Sequence, residues 1–257
     1  MAQIIDFKKY SSIHIGPKVK VKIIDEVGDY SKYTIIGRGN NILVSSNPPS
    51  LAMLGDEFSY IIQKQNKLIV GASTLSSRLL SYCKKNNIAS FELLAKLPGN
   101  IGGLIKMNAG LKQWEISNNL ISVKTCKGVF LKDQLGFSYR HSCIDDIMYE
   151  IIFDINYGFD KEQLKIFNRM RENQPKLPSA GSCFKNPKEY SAGYLLENVG
   201  LRGYSLGGMA FSSQHANFLV NIGGGTFDEA IKLINIAKQE VLDKYKIKLL
   251  EEIIILH

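Results

Sequence analysis

The sequence predicts an α+β fold. Short strand-like runs broken by glycine turns fill the first half, helical spacing dominates the second, and no regular strand–helix–strand alternation joins them. The composition is that of a globular chain: 257 residues, 45% hydrophobic and 22% charged, with 22 Gly and 7 Pro. Disorder, collagen-like repeats and low-complexity fibres are excluded on that basis. The length suffices for one large domain or two to three small ones, each with a real core.

In order along the chain, Lys18–Ile24 alternates with Val19, Val21 and Ile23 on one face and reads as a strand. Residues 33–36 form a second strand running into Gly37-Arg38-Gly39-Asn40-Asn41, and residues 42–45 resume extended structure. Residues 67–70 end at Gly71, and residues 74–86 follow as a helix with Leu75, Leu79 and Tyr82 at helical spacing and Ser73 or Thr74 to cap it. The segment Leu97 to Gly110 is glycine-dense and reads as a loop, with strands at residues 119–126 and 148–156 beyond it. Residues 160–173 form a helix capped by Asp160, and a short helix, Ala192–Asn198, stops before Gly200. The clearest element is Phe227–Tyr245, where Thr226 and Glu229 make a capping box ahead of apolar residues at helical spacing. Residues 247–256 close the chain as a strand, and a domain boundary is expected near Gly158, giving 1–157 and 158–257.

The charge balance is 32 − 24 = +8. A positive field favours anionic partners, but 26 of the 32 cations are Lys scattered along the chain, with no basic stripe and no RNA-binding aromatic motif. Nucleic acid is therefore not an expected partner. The six Arg residues become the informative cations. The four Cys residues contain no C-x-x-C and the four His residues no paired spacing, so reduced thiols and no metal site are expected. No apolar run approaches the ~20 residues of a membrane helix. The first residues, MAQIIDFKKYSS, have no apolar stretch behind their lysines and no small-residue cleavage site. The expectation is a cytoplasmic protein that meets no membrane.

Five segments can carry chemistry. Gly37-Arg38-Gly39-Asn40-Asn41 follows a strand, and glycines there let consecutive N–H groups share one concavity suited to phosphate. It is neither G-x-G-x-x-G nor a P-loop, and a tight hairpin turn accounts for it as well. Leu97-Pro98-Gly99-Asn100-Ile101-Gly102-Gly103, continuing to Met107-Asn108-Ala109-Gly110, also allows close backbone approach. Two such loops suggest a dinucleotide pyrophosphate held between two lobes of non-Rossmann type; packed loops are the plain alternative. Tyr139-Arg140-His141-Ser142 presents a planar, always-charged fork suited to a carboxylate, or to a surface ion pair. Residues 178–187 place Ser182 in a Pro-bounded turn that is not the G-x-S-x-G elbow, since Phe184 replaces the second Gly. Finally, Glu251 and Glu252 sit among apolar residues; burial there favours a neutral, donating carboxyl, whereas a water-facing carboxylate needs no such reading.

These residues resemble the UDP-N-acetylenolpyruvoylglucosamine reductase family over nearly the whole chain. Ser12 to Gly16 is similar to the family's opening T-S-F-x-x-G, and residues 35–45 to its first pyrophosphate loop. Leu97 to Gly110 is similar to P-G-x-x-G-G-x-x-x-M-N-A-G, Tyr139–Ser142 to Y-R-x-S, and residues 178–187 to S-A-G-S-x-F-K-x-P. Gly207 to Asn221, with His215-Ala216-Asn217-Phe218, is similar to G-G-x-x-x-S-x-x-H-A-N-F-x-x-N, and Glu252 falls on the C-terminal Glu. The chain departs from the pattern at Arg38, Asn40, Lys106 and Leu250, and it resembles the short subtype without an extra substrate-covering loop.

The resemblance implies a FAD-binding module of two small α+β lobes (about 1–47 and 48–157), then an α+β substrate-binding domain (158–257) whose last strand returns to the active site. It implies FAD held by Gly37, Arg38, Gly39, Asn40, Asn41, Pro98, Gly99, Gly102, Gly103, Asn108 and Gly110, with NADPH as hydride donor. Arg140, Ser182 and Glu252 would be catalytic. Tyr139, Lys185, Asn186, His215 and Asn217 would meet the UDP-sugar, the cation for its diphosphate coming from Lys185, Lys176 or Arg171. A monomer is expected. The alternative, another FAD-dependent oxidoreductase or oxidase of the same flavin-binding fold, would share the glycine loops but not Ser182, Asn186 and Glu252 together.

Overall fold

The computed structural model describes residues 1–257. The chain forms two compact units. One comprises residues 1–3, 21–38 and 50–172; the other comprises residues 4–20, 39–49 and 173–257.

In the first unit, the part of the strand Lys18–Ile24 from Val21 onward runs parallel to Leu51–Leu54, which in turn runs parallel to Thr34–Ile35, with Ile23 opposite Met53 and Thr34 opposite Leu51. Ile24, Ala52, Phe58 and Tyr149 close a small core there. The larger element is a five-stranded antiparallel sheet in the order Gly128–Leu131, Leu120–Thr125, Glu150–Asp154, Lys67–Gly71, Ile61–Lys64. Alternation along these strands sends Leu68, Val70, Val123, Ile151 and Phe153 into one core. The helices Ser76–Lys85 and Lys161–Met170 add Leu79 and Phe167 to it. Edge-to-face contacts fix the aromatic members, Phe91 on Phe153 at 5.2 Å and Trp114 on Phe167 at 5.2 Å.

In the second unit, an antiparallel sheet runs in the order Ser179–Ser182, Phe218–Asn221, Met209–Phe211, Ser205–Leu206. The helix Phe227–Tyr245 packs Ala230, Leu233, Ile234, Ala237 and Val241 into the unit's core. Its capping box is present as read from sequence: the Thr226 hydroxyl accepts from Glu229 N–H and the Glu229 carboxylate accepts from Thr226 N–H. Asp160 likewise caps Lys161–Met170, and Ala192–Asn198 has the expected bounds. A parallel pair, Ile42–Val44 with Ile254–Leu256, completes the unit.

Four expectations are corrected. The cap of Ser76–Lys85 is Leu75 with no side-chain bond, because Ser73 Oγ donates to Gly55 O and Thr74 Oγ1 to Tyr60 O instead. The closing strand begins at Ile254 rather than 247; Glu252 and Ile253 turn their N–H groups toward Cys183 O and leave the ladder. The glycine-dense loop contains a short helix, Ile101–Lys106, capped by Asn100. The turn around Ser182 opens as a strand, Ser179–Ser182.

Candidate functional site

In the first unit, the second glycine segment is fixed by its own backbone. Ile101 N–H donates to Thr74 O at 2.9 Å and Gly102 N–H to Ala72 O at 2.8 Å. A Cβ on Gly102 would lie 3.1 Å from both the Cβ and the carbonyl oxygen of Ala72, so glycine here permits close packing of the turn on the end of a sheet strand. Gly99 has φ +133, outside the range side-chain-bearing residues favour. Gly103, by contrast, is exposed, and its position for a Cβ faces only Asn100 Oδ1. Asn100 Oδ1 accepts from Gly103 N–H at 3.2 Å and is also what Gly37 approaches: a Cβ on Gly37 would stand 2.6 Å from it. The start of the first glycine turn, Gly37-Arg38, is thus brought against the turn that follows Pro98, and a side chain at 37 would have to displace the Asn100 amide from its cap.

Asn108 follows the short helix at φ +45 and is fully buried. Its Nδ2 donates to Glu115 Oε2 at 2.7 Å and Ser138 O at 3.0 Å, while its Oδ1 has no partner. A buried, unpaired acceptor is costly and marks a place where a donor belongs. The same segment holds the Arg140 turn. Ser138 and His141 exchange backbone hydrogen bonds of 3.1 Å, leaving Tyr139 and Arg140 at the tip with Arg140 at φ +54. Arg140 Nη2 donates to Gly110 O at 3.0 Å, its guanidinium lies 5.2 Å from the Tyr139 ring centre, and Ser142 Oγ donates to Lys106 O at 2.8 Å. Lys106 Nζ donates to Ile144 O, so this departure from the family pattern clamps the same turn. A left-handed non-glycine residue held by this many bonds is the kind of strain that collects at functional positions.

In the second unit, Gly39 at φ +70 lets the first turn pass Tyr10 and Ser11. Ser12 N–H donates to Gly39 O at 3.0 Å and Ser12 Oγ to Asn40 O at 3.2 Å. Asn41 Nδ2 donates to Glu252 O at 2.8 Å, and Asn41 O accepts from Ile254 N–H at 3.0 Å. Glu252 therefore sits at the start of a parallel pair whose other strand issues from the glycine turn.

Ser182 ends its strand opposite Phe218, after Gly181 at φ +83. Cys183 is fully buried, and burial pushes its thiol well above the usual range. Its backbone is the joint of the site: Cys183 N–H donates to Asn217 O at 2.7 Å, and Cys183 O accepts from Glu252 N–H at 2.8 Å. Asn217 grips the next residue from both sides, Oδ1 accepting from Phe184 N–H at 2.9 Å and Nδ2 donating to Phe184 O at 2.8 Å. Lys185 N–H donates to Leu250 O, and Asn186 Oδ1 accepts from Ala192 N–H at 2.9 Å. Ser182 and Glu252 are brought together by these bonds. The two acidic neighbours are also told apart, because Glu251 Oε1 pairs with Lys238 Nζ at 2.7 Å. Burial lowers the His215 pKa; its Nδ1 accepts from Asn217 N–H, which assigns the proton of the neutral ring to Nε2.

The staples formed by Asn41 and Asn217 were not read from sequence as structural. Their partners stand 211 and 33 residues away, and no local pattern announces such bonds.

Residues 173–256 match the family described as UDP-N-acetylenolpyruvoylglucosamine reductase, C-terminal domain. Proteins named UDP-N-acetylenolpyruvoylglucosamine reductase share 42% identity with the chain over 258 residues in Campylobacter jejuni strain RM1221, covering 98% of this chain and 100% of the relative. The protein of that name from Helicobacter pylori strain 26695 shares 43% over 253 residues, 98% of each chain. The crystal structure of UDP-N-acetylenolpyruvylglucosamine reductase from Thermus caldophilus superposes with a TM-score of 0.87 at 27% identity, covering 100% of this chain and 99% of the other. The α+β class expected from the sequence holds.

Replacing Asn217 by Ala strips partners from both the N–H and the C=O of buried Phe184. Each buried group left unsatisfied costs about 1–3 kcal/mol, so the second unit is expected to lose at least about 2 kcal/mol in denaturant unfolding. Unchanged stability would show that the amide does not hold this backbone.

Proposed function

The chain belongs to the UDP-N-acetylenolpyruvoylglucosamine reductase family, and we propose that it reduces the enolpyruvyl group of UDP-N-acetylglucosamine enolpyruvate to UDP-N-acetylmuramate with FAD and NADPH, a step of peptidoglycan precursor synthesis. The observation that carries the cofactor assignment is the convergence of Gly37 on Asn100. It joins two glycine turns in one place, with Gly103 exposed beside them and the Asn108 acceptor buried without a donor. Those features fit a large ligand that comes close to backbone and brings its own donors. Gly37, Arg38, Gly39, Asn40, Asn41, Pro98, Gly99, Gly102, Gly103, Asn108 and Gly110 would hold FAD, Gly102 through packing that shapes the turn. When bound there, FAD would supply hydride-carrier chemistry between NADPH and the terminal carbon of the enolpyruvyl group.

The side chains then answer the charge that develops. Addition at the terminal carbon of an α,β-unsaturated carboxylate places negative charge on the α-carbon and the carboxylate, and fixed donors stabilise it. Arg140 supplies a charge-assisted fork to the carboxylate; its bond to Gly110 O and the left-handed turn hold the guanidinium in place before substrate arrives. Ser182 Oγ gives its proton to the α-carbon. Glu252 is the third group of the set that would meet the same developing charge. Cys183 is no rival acid, because its thiol is fully buried in the core and burial holds it protonated well above the usual thiol range. Tyr139, Lys185, Asn186 and His215 form the contact set for the UDP-sugar. Asn217 acts through Phe184 and His215 rather than on the substrate. Residues 1–157 would chiefly serve the cofactor and residues 158–257 the substrate, with Tyr139 and Arg140 as the exceptions that reach the substrate from the first segment. The protein is proposed to work in the cytoplasm as a monomer.

FAD is expected to be held without a covalent bond, since neither glycine turn contains a His or Cys. Denaturing the purified protein and filtering it should pass FAD into the filtrate. Flavin retained with the polypeptide, or FMN in the filtrate, contradicts the assignment.

Arg140→Lys keeps the charge but loses the planar fork. Transfer to the enolpyruvyl sugar is expected to slow at least tenfold, about 1.4 kcal/mol, and turnover within twofold of the parent would remove Arg140 from the role.

Ser182→Ala should separate the two halves of the reaction. Oxidation of NADPH needs no proton from Ser182 and stays near the parent rate, whereas reaction with the enolpyruvyl sugar slows by the ~10²–10⁴-fold typical of a lost general acid. Anaerobic stopped-flow mixing with each substrate in turn makes the comparison. Equal slowing in both mixes makes Ser182 structural; no slowing in either places the proton source elsewhere.

A further inference from the structure

The second unit carries a concavity of ≈ 750 Å³ that none of the residues assigned above to catalysis or cofactor line. Its size lies within the roughly 300–1,000 Å³ of small-molecule sites. One wall is apolar: Leu177, Pro178, Ile222 and Phe227. Leu177 is 48% and Ile222 50% exposed, so two large apolar side chains line a hollow open to solvent. The titratable residues among its lining are Lys8 and His14, with no acid among them. His14 stands at φ +56, a strained position for a side-chain-bearing residue, held by His14 N–H donating to Ser11 O and by Asn221 Nδ2 donating to Ile13 O at 3.2 Å. The glycine run Gly223–Gly225 also lines the hollow. A Cβ at Gly223 or Gly224 would meet nothing within 4 Å, so the run leaves space there that side chains would fill.

The start of the helix Phe227–Tyr245 borders this hollow but does not supply its charge preference. The Glu229 carboxylate already takes the Thr226 N–H at 3.0 Å and the Gly208 N–H at 3.3 Å. Gly223 and Gly225 spend their N–H groups on Asn221 Oδ1. Positive character comes from Lys8, and His14 adds ring nitrogens able to hydrogen-bond an anion.

We propose that this hollow is a second binding site, for a small amphipathic anion: a flat apolar body against Leu177, Pro178 and Phe227, and a carboxylate, sulfonate or phosphate toward Lys8 and His14. The site lies at the far end of the strands that carry the catalytic groups. Val44 lines it and pairs with Leu256, while the same parallel pair begins at Ile42 and Ile254, two residues beyond Glu252. Pro178 lines it and leads into Ser179–Ser182, and Asn221 lines it at the end of the strand whose Phe218 faces Ser182.

The test uses the flavin-loaded full chain and anilinonaphthalene sulfonate, an apolar ring system with one anionic head, titrated with saturating UDP present. Saturable one-to-one binding is expected. Lys8→Glu and Leu177→Glu, both at exposed positions, should each weaken it at least tenfold. Val129→Glu, on an exposed strand of the first unit, should leave it unchanged. Absence of saturable binding, binding that appears only when UDP is left out, or equal affinity in the parent and both site variants would overturn the proposal.

Discussion

The Cys183 peptide is the constraint on which the candidate site depends. Its N–H is spent on Asn217 O and its C=O on Glu252 N–H, so the residue before it and the segment after residue 250 cannot be placed independently. The arrangement is stable because the joint is dry. Cys183 and Phe184 are fully buried, and in that setting each unmade backbone bond would cost a full desolvation penalty. Asn217 completes the enclosure by meeting both polar groups of Phe184. The backbones of Ser182 and Glu252 are therefore placed by hydrogen bonds that converge on the Cys183 peptide.

The first unit follows the same logic with glycine. Gly37 yields its side chain so that the chain can reach Asn100, Gly102 yields its own so that the turn can lie on Ala72, and Asn100 ties the two together. A glycine run read from sequence looks uniformly permissive. In the fold the glycines divide into those that make packing possible and one, Gly103, that keeps a surface bare.

What could be read in the sequence was local. The helix Phe227–Tyr245 and the short helix Ala192–Asn198 carry their periodicity and caps within a few residues, and both fall where the pattern put them. The helix Ile101–Lys106 was missed because two glycines argue against helix, while its stability comes from the Asn100 cap and burial against Ala72. Strands such as Phe218–Asn221 were missed because all four residues are buried and show no alternation. The closing strand was read too long because the pull on Glu252 and Ile253 comes from Cys183, some seventy residues earlier. Arg140 stood out in sequence by residue type and motif. Its strained backbone and its bond to Gly110 became visible only in the structure.

The central claim is that this chain couples NADPH to an enolpyruvyl UDP-sugar. The most direct measurement is NADPH oxidation by the purified, flavin-loaded protein without oxygen, with and without that sugar, and with the product weighed by mass spectrometry. The account predicts sustained NADPH consumption only when the sugar is present, matched by a product heavier by two hydrogens. Sustained consumption without the sugar, or no mass change in it, would contradict the account.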